Sequence, residues 1–388
     1  MNLKKTKILI ALFFLLFTMF LSNDFGLINI EKTAIVTALA IDKGEKDKYY
    51  SVTAQIAVPE ANTSKTENSK AVITGDGDTV SDAIKNIGSI SGWYPKLSFC
   101  NLIIIGNDLK GESAIKELDF FAKTLNVQDS SLVVLADKSA KEILETATPF
   151  DAISSFALQK VLLKEPGFDS EVFATDLRTF VQGAYSKSGS SFMPLIKIIE
   201  QTSSSKQSSS ENTDKGNSVF DATTTALFLD GKFVGSLPKN LTYVYKLLNN
   251  NGKSPTYTVS EVVNDKTINY LINVLNYKPK IKVEVKDNKV YLFVDLRLYC
   301  KIADVNAEWQ DSFNSRNVPL PQQVIELSVN KFYNDIVELI STLKETKCDL
   351  LGIKEKIYKY NYDNYSAVKD FCSYDFTASV KVSVEGQK

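Results

Sequence analysis

Alternation of hydrophobic and polar residues predicts three antiparallel hairpins. Within residues 34–58, an apolar run precedes a segment in which apolar and polar side chains alternate, the pattern of a half-buried strand. Residues 225–234 form the second hairpin around Asp230-Gly231, a dipeptide typical of two-residue hairpin turns. Residues 281–299 form the third, with one apolar face and one face of mixed aromatic and charged side chains.

Short apolar runs and the helical spacing of apolar residues predict the other strands and the helices. Short apolar strands at 102–105 and 132–136 alternate with helices, which favours a sheet with helices packed on it. The longest helix opens at Pro319 and Pro321, and its apolar stripe is interpreted as a core face rather than a partner groove. The last predicted element is a strand at 376–384. Helices are predicted over 79–90, 113–125, 139–144, 152–163, 170–185, 241–248, 319–343 and 349–357.

A polar segment divides the chain. Residues 201–217 contain no hydrophobic side chain, so they cannot bury enough apolar area to offset the entropy lost on ordering. They are interpreted as a linker or a long exposed loop. The predicted organisation is a signal or anchor segment at 1–22, an N-terminal domain at 23–200, a serine-rich linker at 201–217 and a C-terminal domain at 218–388.

The N-terminus has the pattern of an export or anchoring signal. Lys4, Lys5 and Lys7 precede a run at 8–21 that is apolar except for one threonine. Its fourteen residues would extend about 21 Å as a helix, against a hydrocarbon core of roughly 30 Å. A removable signal therefore fits by length, but no small-residue cleavage site follows, which favours a retained short anchor; a buried core helix is the third alternative. The predicted membrane-anchor residues are Ile8, Phe13, Leu16 and Phe20.

Charge and histidine content exclude several functions. The chain has 388 residues with a net charge of −1 and no long basic run, so no nucleic-acid partner is expected. It contains no histidine, which removes Ser-His-Asp and Cys-His catalysis and the commonest zinc sites. The loop that starts at Asp76 lacks the glutamate of a calcium loop, and no glycine-rich phosphate motif is present. No catalytic, cofactor-binding or metal-binding residue is predicted.

The cysteines and two aromatic clusters remain as candidates for a specific structural or binding role. Cys348 and Cys372 could form a disulfide; alternatively all four cysteines, including Cys100 and Cys300, are buried free thiols. The aromatic turn at 91–95 could line a ligand surface or be a packed connection. A tyrosine cluster among lysines and asparagines could be a contact surface or a half-exposed connection; its members are Tyr358, Tyr360, Tyr362 and Tyr365.

Several blocks, in this order, resemble one family over about residues 30–388. The chain is similar to the Ger(x)C family, the C subunits of spore germinant receptors. The blocks are Ile41-Asp42-Lys43 with residues 48–55; Thr79 with Asp82-Ala83-Ile84; residues 96–99 with 103–106; residues 225–228 with 232–237; and Asp349 with Gly352-Ile353.

The resemblance implies a non-enzymatic subunit on the outer face of the spore inner membrane. It would work there with an A subunit and a polytopic B subunit that senses nutrients. The implied fold is α+β and elongated, with several small domains, each a mixed β-sheet flanked by helices. Family members usually carry a lipid-accepting cysteine after the apolar run, but residues 20–24 contain none, so a retained N-terminal segment is the expected substitute anchor. Cys100-Asn101 also departs from the family, which would place a histidine near this step.

Two other classes of function stay open. One is a stand-alone envelope solute-binding or adhesion protein. The other is an envelope hydrolase that uses carboxylates, which would require a deep cleft with paired acids of perturbed pKa.

Overall fold

The structure is a computed structural model, and it describes most of the chain. The described residues are 7, 10–15, 17, 18, 32–45, 48–57, 70–124, 127–149, 151, 153–163, 171–200, 218–250, 255–263, 265–287, 289–306, 320–365 and 376–386.

A nine-stranded mixed sheet forms the first part of the fold. Its strand order is β3-β2-β1-β5-β6-β7-β8-β9, with the short β4 paired to β1. Neighbours from β1 to β7 run parallel, whereas β2, β3, β8 and β9 are added in antiparallel fashion at the two sides. The strands are β1 (Thr33–Lys43), β2 (Tyr50–Ala57), β3 (Lys70–Gly77), β4 (Tyr94–Lys96), β5 (Leu102–Ile105), β6 (Leu132–Ala136), β7 (Ser190–Glu200), β8 (Ser218–Leu229) and β9 (Lys232–Leu237).

Helices cover both faces of this sheet. Strand β5 consists of four consecutive buried aliphatic residues, as expected for a parallel strand covered on both sides. Ile103 and Ile105 point into one core, and Leu102 and Ile104 point into the other. The first core is closed by α1 (Val80–Ser91), α2 (Ala114–Thr124) and α5 (Leu177–Ala184), and the second by α3 (Ala140–Glu145) and α4 (Ser154–Leu162).

Local caps explain where several helices begin. The Thr79 side chain accepts a hydrogen bond from the backbone N–H of Asp82 and starts α1 as predicted. The predicted helix over 170–185 is wrong in its first part, because α5 begins only at Leu177. The Thr175 carbonyl accepts the N–H of Val133 in β6, and Asp176 forms a β-bridge to the same strand before it caps α5.

The polar segment at 201–217 lies between two strands that pair with each other. Glu200 at the end of β7 is opposite Ser218 at the start of β8 in antiparallel register. The segment itself lies outside the described residues. Strands β8 and β9 thus belong to the first sheet although they follow the segment, and the division into domains stays a prediction.

A four-stranded sheet and a long helix form the second part. Its order is β10-β11-β12-β13, with only β12 and β13 parallel. One face packs its apolar residues against α7, which confirms the predicted core stripe of that helix. The other face carries aromatic and charged side chains. The elements are α6 (Lys239–Leu248), β10 (Thr256–Val263), β11 (Lys266–Lys286), β12 (Lys289–Val305), α7 (Gln322–Glu345), α8 (Ile353–Tyr360), α9 (Tyr362–Tyr365) and β13 (Phe376–Gly386).

One apolar core connects the two sheets. Phe173 and Phe192 of the first part lie against Tyr245 of α6, with ring centroids 5.3 and 5.4 Å from the tyrosine. The same core continues to the inner face of the second sheet. The predicted α+β class, with mixed sheets flanked by helices, is confirmed.

The described cysteines are buried. Cys100 carries a free thiol in the first core of the nine-stranded sheet, and Cys300 and Cys348 carry free thiols in the core that connects the two sheets. Cys372 lies outside the described residues, so its pairing with Cys348 stays a prediction.

Candidate functional site

The aromatic turn at 91–95 lies beside the first residues of β1. Gly92 ends α1 in the left-handed conformation (φ 72°), and its N–H donates to the Gly88 carbonyl at 2.9 Å. The chain then enters β4, where Tyr94 is paired with Thr33 in parallel register. The turn is therefore held beside the start of β1, the first strand of the sheet.

This arrangement creates an apolar groove, here called the Trp93 groove, with a volume of about 1220 Å³. Large side chains around it are only partly buried: Trp93 is 49% exposed, Tyr94 53% and Phe99 51%. Contiguous exposed apolar surface of this kind usually marks a contact site. The described lining residues are Thr33, Ile35, Ala57, Ser81, Ile84, Lys85, Gly88, Ser89, Gly92, Trp93, Tyr94, Pro95, Lys96, Leu97, Ser98, Phe99 and Phe120.

The charge of the Trp93 groove has one sign. Among its described lining residues, the only charged side chains are Lys85 and Lys96. Lys32, just before β1, is also exposed. The groove therefore combines aromatic and aliphatic surface with positive charge, a set of groups suited to binding apolar and anionic material.

Sequence reasoning found only part of this groove. The sequence marks the turn as aromatic, but it does not place Ile35, Lys85 and Phe99 on the same surface. A weak signal was Ile90, which continues the apolar face of α1 three residues after Ile87 but is exposed in the structure. The pairing of β4 with β1, between residues about sixty positions apart, has no local sequence signal.

The predicted tyrosine cluster is a second exposed surface. The Tyr358 ring lies 5.4 Å from that of Tyr362 and 5.1 Å from that of Tyr365, both edge-on. Lys187 places its Nζ 4.9 Å from the centre of the Tyr358 ring. Tyr360 lies 83% exposed on the same short helix. Tyr358 is thus in contact with two of the other three predicted tyrosines.

A buried carboxylate positions this cluster. Asp349 accepts hydrogen bonds from the backbone N–H groups of Ile353 and Lys354, both at 2.8 Å, and so holds the first turn of α8. Its own N–H donates to Ser190 Oγ at 2.8 Å, which attaches α8 to β7. Burial raises the pKa of Asp349 to about 6, and the two N–H donors and nearby Lys356 offset this only partly.

Two further buried carboxyl groups have structural partners. Asp42 accepts hydrogen bonds from the N–H groups of Ala140 and Lys141, at 2.7 and 2.8 Å, and caps α3 from the end of β1. Glu117 accepts one from the Tyr50 hydroxyl at 3.1 Å. Burial raises the pKa of both carboxyl groups. None of these acids lines the Trp93 groove, so the described residues place no paired acids in that cleft.

No described group of histidine, cysteine and acidic residues is arranged to hold a metal ion. Each of the three buried carboxylates above accepts at least one hydrogen bond from a backbone N–H or a hydroxyl group.

The predicted anchor residues fall mostly outside the described residues. This is the case for Ile8, Leu16 and Phe20. Phe13 lies in a helical stretch at 10–15 and is exposed. Within the described ranges, no helix has the length and apolar character needed to cross a bilayer.

Comparisons with known proteins give two family-model matches, which together cover most of the chain. A family model described as the spore germination protein N-terminal domain matches residues 27–198, and one described as spore germination B3/GerAC like, C-terminal, matches residues 223–387. The crystal structure of the GerBC protein is similar, with a TM-score of 0.50 and 16% sequence identity over 89% of this chain and 96% of that chain. At this identity the likeness shows the fold. A search of curated proteins gives no match.

Proposed function

Because the chain belongs to the Ger(x)C (GerAC) family of spore germination proteins, we propose that it is a non-catalytic subunit of a nutrient germinant receptor complex. The observation that carries the proposal is the match of both family domain models, in order, over most of the chain. The proposed location is the outer face of the spore inner membrane.

The proposed tether is the N-terminal segment. Three lysines before an apolar run favour an N-terminus that stays in the cytoplasm while the remainder crosses the membrane. No cysteine follows the run to accept a lipid, so the apolar segment itself, with Ile8, Phe13, Leu16 and Phe20, would hold the protein at the membrane.

The proposed mechanism is assembly. A membrane tether confines the protein and its partners to one surface and so raises their effective concentration. The partners would be the A and B subunits of the receptor. The exposed tyrosines around Tyr358 supply aromatic surface with polar hydroxyl groups, the composition that is enriched in protein interfaces.

Crosslinking and pull-down of the tagged full chain from spore membranes tests this function. We expect the chain to sediment with membranes and to retrieve a polytopic membrane protein after crosslinking. A Phe13→Asp, Leu16→Asp variant should leave the membrane fraction, whereas the matched Phe13→Leu, Leu16→Ile variant should remain. Intact protein found free in the cytosol would contradict the proposal.

The volume of the Trp93 groove favours one alternative, a stand-alone envelope protein that binds a solute or acts in adhesion. At about 1220 Å³ the groove has ample room for a small solute, although it is above the usual range of about 300–1,000 Å³ for small-molecule sites. Calorimetric titration of the purified full chain with single nutrients would distinguish the two: tight binding without any partner would support the alternative, and none is expected.

A further inference from the structure

The Trp93 groove has chemistry suited to a lipid surface rather than to a protein partner. Tryptophan and tyrosine are enriched at the level of lipid headgroups, where an apolar ring and a polar tip are both satisfied. Trp93 and Tyr94 are adjacent and half-exposed, and Phe99 adds a third exposed ring.

Charge favours the same occupant. The charged residues among the described groove lining are Lys85 and Lys96, and Lys32 is exposed just before β1. Lysines at a membrane surface are attracted by anionic headgroups, and they can bury their methylene stems beside apolar groups. A groove that binds an acidic protein segment would share this charge, so a protein partner is one of the outcomes that the experiment below distinguishes.

Chain length places the groove near the membrane. Thr33 lines the groove and is the first residue of β1. Only eleven residues, 22–32, separate it from the apolar run that ends at Leu21. Even fully extended, they span at most about 40 Å. If the apolar run is in the bilayer, the groove cannot be farther from it than this.

We propose that the Trp93 groove docks on an anionic bilayer, with Trp93, Tyr94 and Phe99 at the headgroup level and Lys85 and Lys96 facing anionic lipid. The inference rests on the proposed function, since it needs the N-terminal tether. Docking would fix the orientation of the first sheet on the membrane, whereas a tether alone would leave it free to turn.

Trp93 itself provides the test. The chain contains two tryptophans, so a Trp309→Phe variant of the full chain reports from Trp93 alone. The probe is a set of phosphatidylglycerol–phosphatidylcholine vesicles in which bromine atoms are placed at different depths of the acyl chains. We expect Trp93 emission to shift to shorter wavelength and to be quenched most by bromines near the headgroup.

Charge reversal separates docking from tethering. Lys85→Glu with Lys96→Glu should lose quenching while the protein still floats with the vesicles. The matched Lys266→Glu, Lys278→Glu variant, at exposed positions of the second sheet, should keep it. Vesicles of phosphatidylcholine alone should behave like the groove variant. Thermal unfolding of each variant checks that its fold is retained.

Each outcome of these experiments supports or overturns a stated part of the proposal. A chain that does not float with vesicles would overturn both the tether and the docking. A chain that floats with Trp93 unquenched would overturn the docking alone. Quenching that is unaffected by charge reversal would overturn the role of the lysines. If Trp93 is unquenched and the groove variant instead loses a crosslinked membrane protein, the groove is a protein-binding site.

Discussion

The Asp349 carboxylate accepts a hydrogen bond from the backbone N–H of Lys354 at 2.8 Å, and this contact holds the start of α8. A buried carboxylate at a helix N-terminus is stabilised by the helix dipole and by the N–H donors, but it loses hydration. Here the loss of hydration is larger, because the pKa of Asp349 is raised to about 6. The position of the tyrosine cluster therefore depends on a group that titrates in a mildly acidic range.

The first prediction concerns pH. Since the folded-state pKa of Asp349 lies above the unfolded value near 3.8, its contribution to stability is fully present below pH 4 and is lost as pH rises through about 6. A shift of this size corresponds to about 3 kcal/mol in the free energy of unfolding. Urea unfolding of the full chain between pH 4 and 7 should show this contribution as the difference between wild type and Asp349→Asn.

The control is a carboxylate on the neighbouring helix α9. Asp363→Asn, at an exposed position, should leave the pH profile of unfolding like that of the wild type. If Asp349→Asn keeps the wild-type slope from pH 4 to 6, the assignment to Asp349 is incorrect.

Glu117 gives the second prediction. Burial raises its pKa, and its Oε2 is buried without a partner in the described part of the structure, while Oε1 accepts from the Tyr50 hydroxyl. Glu117→Gln keeps that acceptor and removes the ionisable group, so we expect unchanged or increased stability at pH 7. Tyr50→Phe leaves the carboxylate without its donor and should cost about 1–3 kcal/mol. Thermal unfolding of both variants measures the contrast, and a Gln variant less stable than the Phe variant would refute this account.

The local sequence pattern is sufficient to predict those elements that have a clear periodicity or a characteristic turn. The β1–β2 hairpin, α1 with its Thr79 cap, and the turn at Asp230-Gly231 all follow from periodicity or from turn chemistry over a few residues. The long helix α7 was predicted for the same reason, since its apolar stripe continues along its length.

Longer strands without regular alternation were missed, although the short apolar strands at 102–105 and 132–136 were predicted. Strand β7 is buried over consecutive residues, so it shows no period of two. In β11, bulges between Leu271 and Ile272 and between Val274 and Asn276 shift which residues face the core. The Trp93 groove was only partly foreseen because it depends on a parallel pairing between distant residues. Such pairings depend on tertiary packing rather than on local preference.

The hairpin turn between β8 and β9 supports the third prediction. Asp230 and Gly231 both have positive φ, at 50° and 77°, as a two-residue hairpin turn requires. A Cβ on Gly231 would lie 2.5 Å from Cγ1 of Ile115 and from Oγ of Ser113, and the Gly231 carbonyl accepts the Ala114 N–H that starts α2. Gly231→Ala should therefore destabilise the protein by about 2–4 kcal/mol, through backbone strain and a clash with α2.

The neighbouring residue provides the matched control for this turn. Asp230→Gly replaces the other residue of positive φ by one that adopts it without strain, so its effect on the free energy of unfolding should stay within about 1 kcal/mol. Chemical unfolding of both variants tests this difference. Equal losses from the two substitutions would mean that the contact of the turn with α2 has no energetic role.

The fourth prediction concerns the tyrosine surface and follows from the proposed assembly. Tyr360 and Tyr362 are exposed at the end of α8 and in α9, whereas Tyr358 packs between its neighbours and Lys187. Because exposed aromatic anchors often dominate binding energy, Tyr360→Ala with Tyr362→Ala should reduce crosslinked partner recovery about tenfold, with only a small fall in unfolding temperature from the lost Tyr358–Tyr362 contact. Tyr333→Ala, at an exposed position on α7, is the control and should leave recovery unchanged. Equal recovery from all three proteins would place the partner contact elsewhere on the chain, while a loss in the Tyr333 variant alone would assign it to α7.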